Sequence, residues 1–292
     1  MIIHANDSQS SILKAMPQNH LLVIDLETVP EADILPADRD PAAFPKPIQH
    51  RIVTLGFLLA RILPDGQHER YEVRRLGAAG PAERTEREII AGFWHMIGHH
   101  RPRVVTWNGR GFDIPVLKQR SLVHGLQAHA WHRTDPRYGY DYRYESRWHC
   151  DLMDVLCDNG ASARLGLHEA AVAIGLPGKL EAASGSEVGA MLVAGDHDRI
   201  NRYCEGDVLN TYALYLRWAY LSSVMSARGH NASVRDLVEY LARERPERSH
   251  LGEFLDAWQA SSRPCPLYVE EPATEPGAQP PEAHLRSEDV MP

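Results

Sequence analysis

The sequence predicts an α/β domain built on a mixed sheet, in which the first three strands are antiparallel, later strands are parallel, and helices flank the sheet. Two observations lead to this fold class. Roughly the first 80 residues hold short apolar segments separated by turn signals, a pattern typical of an antiparallel meander. Beyond them, helical periodicity alternates with short β-branched segments, which is typical of strands joined by helices.

The first three elements are predicted strands. His20–Leu26 (HLLVIDL) is a short apolar run, and the prolines that follow it predict a long loop. Arg51–Ile62 is rich in β-branched and aliphatic residues and predicts the second strand. The turn signal Pro64-Asp65-Gly66 then leads into Glu69–Leu76, which we expect to pair back as the third strand.

Helices dominate the rest of the predicted order. Ala82–His99 has apolar residues at helical spacing, and Arg103–Trp107 (RVVTW) predicts a fourth strand. A helix from about Phe112 to Val123 and a short strand at Ser146–Cys150 are expected next. The remaining predicted helices cover Asp151 to Trp218, with breaks at Gly166, at Gly175-Leu176-Pro177-Gly178 and at Gly195, and the segments near Val234–Arg245 and Leu251–Gln259.

Composition indicates a soluble globular protein. The chain has 292 residues, 43% of them hydrophobic and 24% charged, which is enough to bury a core without disulfides. It holds no apolar run of the ~20 residues that a membrane span needs, and its start lacks the pattern of a secretory signal. Four cysteines form no C-x-x-C pair, so we expect free thiols and a cytoplasmic location.

The domain boundaries follow from charge and proline content. Residues 262–292 carry six acidic residues against two arginines, so half of the net charge of −8 lies in this segment, together with seven of the 20 prolines. We therefore expect a mobile N-terminus at 1–18, a folded domain with a C-terminal helical extension at 19–260, and a disordered acidic tail at 261–292. The acidic body requires any nucleic-acid contact to use a local basic track.

The pair Asp25-Leu26-Glu27 follows the first predicted strand. Residues i and i+2 of a strand point to one face, so both carboxylates lie side by side. Adjacent carboxylates repel each other unless a cation intervenes, and hard oxygen ligands suit Mg²⁺ or Mn²⁺. The spacing alone is weak evidence, because Asp38-Arg39-Asp40 and Asp196-His197-Asp198 share it in segments interpreted as solvated loops or caps.

Two further segments carry candidate side chains. In Asn108-Gly109-Arg110-Gly111-Phe112-Asp113, a strand ends, glycines allow a turn, and Asp113 opens a helix either as a cap or as a ligand. In Tyr203-Cys204-Glu205-Gly206-Asp207, Tyr203 and Asp207 lie one helical turn apart on one face. Gly206 is unfavourable inside a helix, which indicates close packing against the sheet. Asp151 and Asp154 are interpreted as helix caps, although Asp151 could also line the cleft.

The three segments together carry a family resemblance. The order D-x-E, N-x-x-x-F-D and Y-x-x-x-D resembles the DEDD exonuclease superfamily, which has a ribonuclease-H-like fold. The chain is most similar to the predicted 3′–5′ exonucleases related to the proofreading domain of family-B DNA polymerases. Over about residues 20–218, the further segments that match are His149–Leu156, Gly175–Lys179 and Tyr203–Val208.

The resemblance implies a 3′–5′ exonuclease that hydrolyses single-stranded DNA with two divalent cations, Mg²⁺ or Mn²⁺. Asp25 would bridge both cations, Glu27 and Asp207 would complete the first, and Asp113 would hold the second, partly through water. Tyr203 would orient the attacking water. The histidine branch of the superfamily has a histidine five residues before the last aspartate, where this chain has Arg202, so the resemblance is to the tyrosine (DEDDy) branch.

Substrate contacts are expected in the aromatic and basic segment 131–149 and near the second motif. Aromatic faces stack on unpaired bases and arginines contact phosphates. Tyrosines at alternate positions (Tyr138, Tyr140, Tyr142, Tyr144) would lie on one face of a strand, although a loop packed on the domain is the alternative. The candidate contacts are Asn108, Arg110, Phe112, Tyr142, Arg143 and Tyr144, with Lys118 and Lys179 as further backbone contacts.

Three functions remain open at this point. An exonuclease acting on DNA is favoured over an exoribonuclease, but the motifs do not separate the two, because sugar discrimination depends on contacts to the 2′-OH. A non-catalytic nucleic-acid-binding module on the same fold is the alternative of another class. A proofreading role would require a replication or repair partner, and the oligomeric state is not predicted.

Overall fold

A five-stranded mixed sheet forms the centre of the computed structural model, which describes residues 18–40, 43–80, 82, 84–134, 139–180, 187–260 and 266–271. The strands lie in the order β3-β2-β1-β4-β5. β1 is antiparallel to β2 and parallel to β4, β2 is antiparallel to β3, and β4 is parallel to β5. The predicted mixed sheet is therefore confirmed. The strands are β1 (His20–Pro30), β2 (His50–Asp65), β3 (His68–Ala79), β4 (Arg103–Thr106) and β5 (His149–Asp151).

Most helices begin and end close to the predicted positions, but the short helix His129–His132 was not predicted, and the helix expected near Val234–Arg245 begins at Ala227. α1, for example, starts with a capping box in which Thr85 accepts from the Glu88 backbone N–H while the Glu88 carboxylate accepts from that of Thr85. The helices are α1 (Glu86–His100), α2 (Asp113–His124), α3 (His129–His132), α4 (Leu152–Leu156), α5 (Leu167–Ala173), α6 (Glu187–Ala194), α7 (His197–Leu221), α8 (Ala227–Glu244) and α9 (Ser249–Ala260).

Alternation along β1 divides the core between the two faces of the sheet. Leu21 and Val23 pack in the cluster that includes α7 and α8, whereas Leu22, Ile24 and Leu26 pack in the cluster that includes α1 and α2. Period-two alternation places Asp25 and Glu27 on the same face as Leu21 and Val23. The two acids therefore face α7, the helix that carries the third motif.

The C-terminal extension covers the exposed edge of β3. Side chains of α8 accept hydrogen bonds from backbone N–H groups of this edge strand. Ser233 Oγ accepts from Tyr71 N at 2.8 Å, Asp236 Oδ2 from Val73 N at 2.7 Å, and Tyr240 OH from Leu76 N at 3.0 Å. An unpaired edge would otherwise invite pairing with another chain, so α8 satisfies the edge and protects it.

Part of the expected tail contacts the domain. Asn231 on α8 donates to Val269 O at 3.0 Å and accepts from Val269 N at 2.9 Å, and Arg217 donates to Pro266 O at 2.7 Å. Leu267 packs against the main core. Residues 266–271 thus differ from the predicted disordered tail, while residues 1–17, 261–265 and 272–292 lie outside the described residues. Within the described ranges, no helix has the length and apolar character to span a membrane.

Candidate active site

Asp25 and Glu27 lie near the end of β1, where the pairing with β2 shifts by one residue after Glu27. Their carboxylates come together with the thiol of Cys204, so that one ligand atom from each residue lies within 4.8 Å of the others. Among the described residues, these three side chains are the group of possible metal ligands whose atoms lie this close together. The carboxylates of Asp25 and Glu27 therefore lie side by side, as their i and i+2 spacing on a strand predicts.

Asp113 reaches the same place from α2. It is the first residue of that helix and is buried. The preceding residues form a tight turn, in which Asn108 has a left-handed backbone (φ 59°) and a Cβ on Gly109 would lie 2.4 Å from Thr106 side-chain atoms. Backbone N–H groups of Asp113 and Leu26 donate to the Asp113 carboxylate, which ties α2 to β1. Asp113 is thus both a first-turn residue and a member of the acidic group.

Tyr203 and Asp207 are supplied by α7, whose N-terminus is capped by Asp196. Both side chains are buried, and Tyr203 hydrogen-bonds to the Asp207 carboxylate. The helix approaches the sheet closely at Gly56, which pairs with Asp25 in the register of β1 and β2. Gly56 N donates to Cys204 Sγ at 3.2 Å, and a Cβ at Gly56 would lie only 2.7 Å from that sulfur. A side chain at position 56 would therefore push α7 away from Asp25.

The electrostatics show that the four acids form one cluster, which we call the acid cluster (Asp25, Glu27, Asp113 and Asp207). Burial, followed by repulsion from the other three members, raises the pKa of Asp25 well above its usual value. Burial and the charge of Asp207 raise the pKa of Glu27 to about 8. Burial is also the main cause that raises the pKa of Asp113 to about 7 and that of Asp207 to about 6.

This donor set fits divalent cations. Three buried carboxylates and the half-buried Asp25 resist ionisation together, and a cation that supplies positive charge stabilises them. Carboxylate oxygens suit Mg²⁺ or Mn²⁺, whereas burial raises the pKa of the Cys204 thiol and keeps it protonated, so the thiol is a poor ligand for these hard ions. The residues that could hold the cations are thus the four acids.

Lys179 supplies a positive charge beside the acid cluster. Its ammonium contacts the Tyr203 hydroxyl and lies 3.9 Å from Asp207 Oδ2. The preceding turn, where Gly178 has φ 64°, is fixed by Asn210, which accepts from Gly178 N at 3.1 Å and donates to Gly178 O at 2.9 Å. The sequence marked Lys179 only as a backbone contact, whereas the structure places it against two motif residues.

Asp151 organises the turn that leads to Asp113. Its carboxylate accepts from Asn108 N at 2.9 Å and from Arg110 N at 2.8 Å, and it also caps α4 through Met153 N and Asp154 N. Asp151 therefore caps a helix, as predicted, and shapes the motif, and it also lines a cleft beside the turn.

The expectation of four tyrosines on one face of a strand is wrong. Residues 139–148 form turns, and Tyr138 lies outside the described residues. Tyr140 is fully buried and stacks on Trp131 with ring centroids 4.5 Å apart. Arg110 fixes this segment by donating to the carbonyls of Tyr140, Tyr142 and His149, so much of its hydrogen-bonding capacity is already used. Tyr142, Arg143 and Tyr144 remain exposed.

Phe112 belongs to an aromatic group that the sequence did not reveal. Its ring lies 5.8 Å from Phe44 and 4.9 Å from His50. His50 is held by Thr28 Oγ1 at 3.0 Å and Pro45 O at 3.1 Å, and Phe44 remains 75% exposed. Thr28 follows Glu27 and Phe112 precedes Asp113, so this group adjoins the acid cluster. Phe44 lies in a proline-rich loop, where no periodic pattern could reveal this aromatic group.

Gly206 does not pack against the sheet, contrary to expectation. A Cβ at this position would meet no atom within 4 Å. Gly206 instead lines a cleft together with Lys179, Tyr203 and Asp207. The close approach between α7 and the sheet is made by Gly56 and Cys204.

The topology defines the class of protein, an α/β domain of the ribonuclease-H-like type, and the acid cluster lies on its central sheet. Residues 42–258 match the family described as predicted 3′–5′ exonucleases related to the exonuclease domain of PolB, and the chain belongs to this family. No curated protein matches the chain.

Several solved structures resemble the fold. The family-B DNA polymerase of the hyperthermophilic archaeon Pyrobaculum calidifontis is 18% identical, with a TM-score of 0.46, and the match covers 77% of this chain and 29% of the polymerase. Product-bound exonuclease I is 12% identical, with a TM-score of 0.35, and the match covers 78% of this chain and 47% of that protein. Apo exonuclease I is 13% identical, with a TM-score of 0.36 and coverages of 81% and 47%. The chain therefore corresponds to less than half of each of these proteins.

Proposed function

We propose that residues 19–260 form a metal-dependent 3′–5′ exonuclease domain that hydrolyses single-stranded DNA from its 3′ end. The observation that carries the proposal is the convergence of four carboxylates from three separate segments with Tyr203 at one edge of the sheet. A structural ion-pair network would pair acids with bases. Here Asp25 experiences repulsion from three other carboxylates, an arrangement that favours cation binding.

In this proposal the acid cluster would hold two divalent cations. When bound, the cations would supply charge stabilisation for the phosphate and its leaving oxygen and activate water. The short hydrogen-bonded turn before Asp113 holds the carboxylate from α2 in place.

Tyr203 acts as a hydrogen-bond donor that orients the attacking water. Burial and the neighbouring acids raise the pKa of its hydroxyl, so the phenol keeps its proton near neutral pH and does not serve as a base. The ammonium of Lys179 can only donate, so the Tyr203 oxygen accepts from it and the phenol proton is donated to the Asp207 carboxylate. To orient the attacking water, this proton would turn from Asp207 to the water once Asp207 holds a cation. Lys179 is therefore a positioning residue for Tyr203.

The exposed Tyr142, Arg143 and Tyr144, together with Asn108, Phe112 and the newly identified Phe44, are proposed to contact the unpaired strand. Aromatic rings stack on bases without regard to sequence, and an arginine can contact a phosphate. Arg110 supports this surface from behind by holding residues 140–142. A cytoplasmic location and a replication or repair partner belong to the same proposal.

The test uses 5′-labelled single-stranded DNA and RNA with Mn²⁺ or Mg²⁺, with EDTA and Asp25→Ala as controls. We expect a metal-dependent ladder that shortens from the 3′ end of DNA and is absent in the variant. A ladder on RNA alone would replace the proposal by an exoribonuclease. Metal and oligonucleotide binding without cleavage would favour a non-catalytic binding module.

A further inference from the structure

A polar pocket of about 310 Å³ lies where β4 and β5 end, beside the Asn108–Arg110 turn. Its lining includes His149, Asp154, Arg143, Tyr144 and Asn159 and none of the residues of the acid cluster. Neither Asp154 nor His149 has a role in the proposed hydrolysis. The pocket is therefore separate from the cation-binding centre and needs its own explanation.

Two buried polar atoms of this pocket's lining lack a partner in the described part of the chain. They are Asp154 Oδ2 and His149 Nδ1, on side chains that are 5% and 1% exposed. The other oxygen of Asp154 accepts from Arg143 at 3.0 Å. A buried polar atom left without a hydrogen bond costs about 1–3 kcal/mol, so each of these atoms requires a hydrogen-bond partner, either a water or a ligand group.

The hydrogen-bonding character of both atoms follows from their surroundings. The Thr106 hydroxyl is fully buried, and its one recorded partner within the described ranges is His149 Nε2 at 2.9 Å. Donation from Thr106 to Nε2 is the arrangement that gives this buried hydroxyl proton a partner, and it leaves the hydrogen of the neutral ring on Nδ1. Burial lowers the pKa of His149 well below its usual value, which keeps the ring neutral. His149 therefore offers a donor, and Asp154 offers an acceptor.

The mouth of the pocket has an exposed ring and a strained rim. Tyr144 is 72% exposed, and Arg143 stands next to it. Asp158 and Asn159 have consecutive left-handed backbones, with φ of 49° and 56°. Residues held in this region cost about 1–3 kcal/mol and cluster at ligand sites. A flat, polar ligand that enters here can stack on Tyr144.

The position of the pocket limits what can reach it. The acids Asp25 and Glu27 lie on β1, and the pocket lies at the end of β5, two strands away in the sheet. Strands are about 4.8 Å apart, so the separation across the sheet is roughly 10 Å. A single strand that enters the acid cluster spans this distance within a few nucleotides.

We propose that this pocket binds one nucleobase of the single-stranded substrate, a few nucleotides upstream of the scissile phosphate. The inference rests on the proposed function. Base edges carry N–H donors and ring-nitrogen or carbonyl acceptors, which match Asp154 Oδ2 and His149 Nδ1 respectively. The ring of the base stacks on Tyr144, and Arg143 lies beside the adjoining phosphate. A single water molecule would satisfy the two polar atoms but would not involve Tyr144.

The experiment measures binding of short single-stranded DNA, by fluorescence anisotropy, to full-length protein carrying Asp25→Asn so that cleavage does not interfere. One abasic nucleotide is moved stepwise from the 3′ end. Besides any position stacked on Phe44, Phe112 or Tyr142, we expect one position near the pocket to weaken binding about tenfold, the size of one lost base–aromatic stack. Asp154→Asn and Tyr144→Ala should each weaken binding of the intact strand and remove the dependence on that position. Asp256→Asn, an exposed acid paired with Arg245, is the matched control and should change nothing.

A flat abasic scan overturns the proposal and identifies the ligand of the pocket as water. The same conclusion follows if the sensitive position persists unchanged in Tyr144→Ala, which alters an exposed side chain and should fold even where Asp154→Asn does not. The cleavage ladder of the wild-type protein is a separate result. A cleavage ladder together with a flat abasic scan would contradict the base pocket and leave the proposed exonuclease activity standing. A position-specific effect without a ladder would contradict the exonuclease activity and leave the base pocket standing.

Discussion

Cys204 Sγ lies 3.2 Å from the backbone nitrogen of Gly56, and this contact sets the distance at which α7 crosses the sheet. The same sulfur lies 3.5 Å from Asp25 Oδ2. Gly56 thus couples the packing of a buried helix to the geometry of the acid cluster. A residue with no side chain of its own determines how closely Tyr203 and Asp207 approach β1.

Gly56→Ala should lower both stability and metal binding. Its Cβ would lie 2.7 Å from Cys204 Sγ and 3.1 Å from Val208 Cγ2, and overpacking of this kind costs about 1–3 kcal/mol. Urea denaturation and calorimetry with Mn²⁺ measure the two effects. Gly77→Ala is the control, because its Cβ would meet Phe57 at an ordinary 3.5 Å. Equal behaviour of the two variants would show that α7 has room to move.

The alanine test also shows what the sequence could and could not predict. The four acids were predicted from the family resemblance of three motifs taken in order, because the spacing of each motif alone also fits a helix cap or a solvated surface. The Gly56–Cys204 contact joins residues 148 positions apart, and Gly56 in a strand gave no pattern that names its partner. The predicted strand through Tyr140 was wrong for a different reason. Alternating tyrosines fit a strand, but the hydrogen bond from Arg110 and the stacking on Trp131 hold Tyr140 in a buried turn. Tertiary contacts of this kind leave no local periodicity.

Mn²⁺ should stabilise the protein more at pH 8 than at pH 6. The raised pKa values of about 8, 7 and 6 for Glu27, Asp113 and Asp207 mean that the folded metal-free protein binds more protons than the unfolded chain, whose carboxyls titrate near about 4. Stability without metal therefore falls as pH rises through this range, and protons compete with cations at its lower end. Thermal unfolding with EDTA and with Mn²⁺ at both pH values checks this. A metal effect independent of pH would contradict it.

Asp207→Asn should stabilise the metal-free protein by about 1 kcal/mol while abolishing the Mn²⁺ effect. The amide removes one of four mutually repelling charges and also one ligand oxygen. Thermal unfolding in EDTA measures the first effect, and a Mn²⁺ titration measures the second. Asp256→Asn, in an exposed pair, is the control. Destabilisation in EDTA would mean that Asp207 holds the fold through its contact with Tyr203.

Lys179→Met and Tyr203→Phe should each slow cleavage by roughly 10- to 100-fold while metal affinity is retained. Lys179 orients the Tyr203 hydroxyl, and Tyr203 is proposed to orient the attacking water, so the two residues act in one chain of hydrogen bonds. The double variant should therefore be no slower than the slower single variant, because residues in one network are not additive. Single-turnover rates test this. Multiplicative loss would show that Lys179 acts on the substrate independently of Tyr203.

Removal of residues 262–292 should lower stability without lowering the turnover number, whereas truncation after residue 271 should change neither. The segment 266–271 donates to and accepts from Asn231, accepts from Arg217 and buries Leu267 beside α7, but it contacts no residue of the acid cluster. Loss of these contacts removes apolar burial and the hydrogen bonds that Asn231 makes to Val269 and Glu271, which should cost about 1–3 kcal/mol. Urea unfolding and kcat on a single-stranded oligonucleotide separate the two effects. Loss of turnover in a folded protein truncated after residue 271 would show that residues 272–292 take part in catalysis or substrate binding.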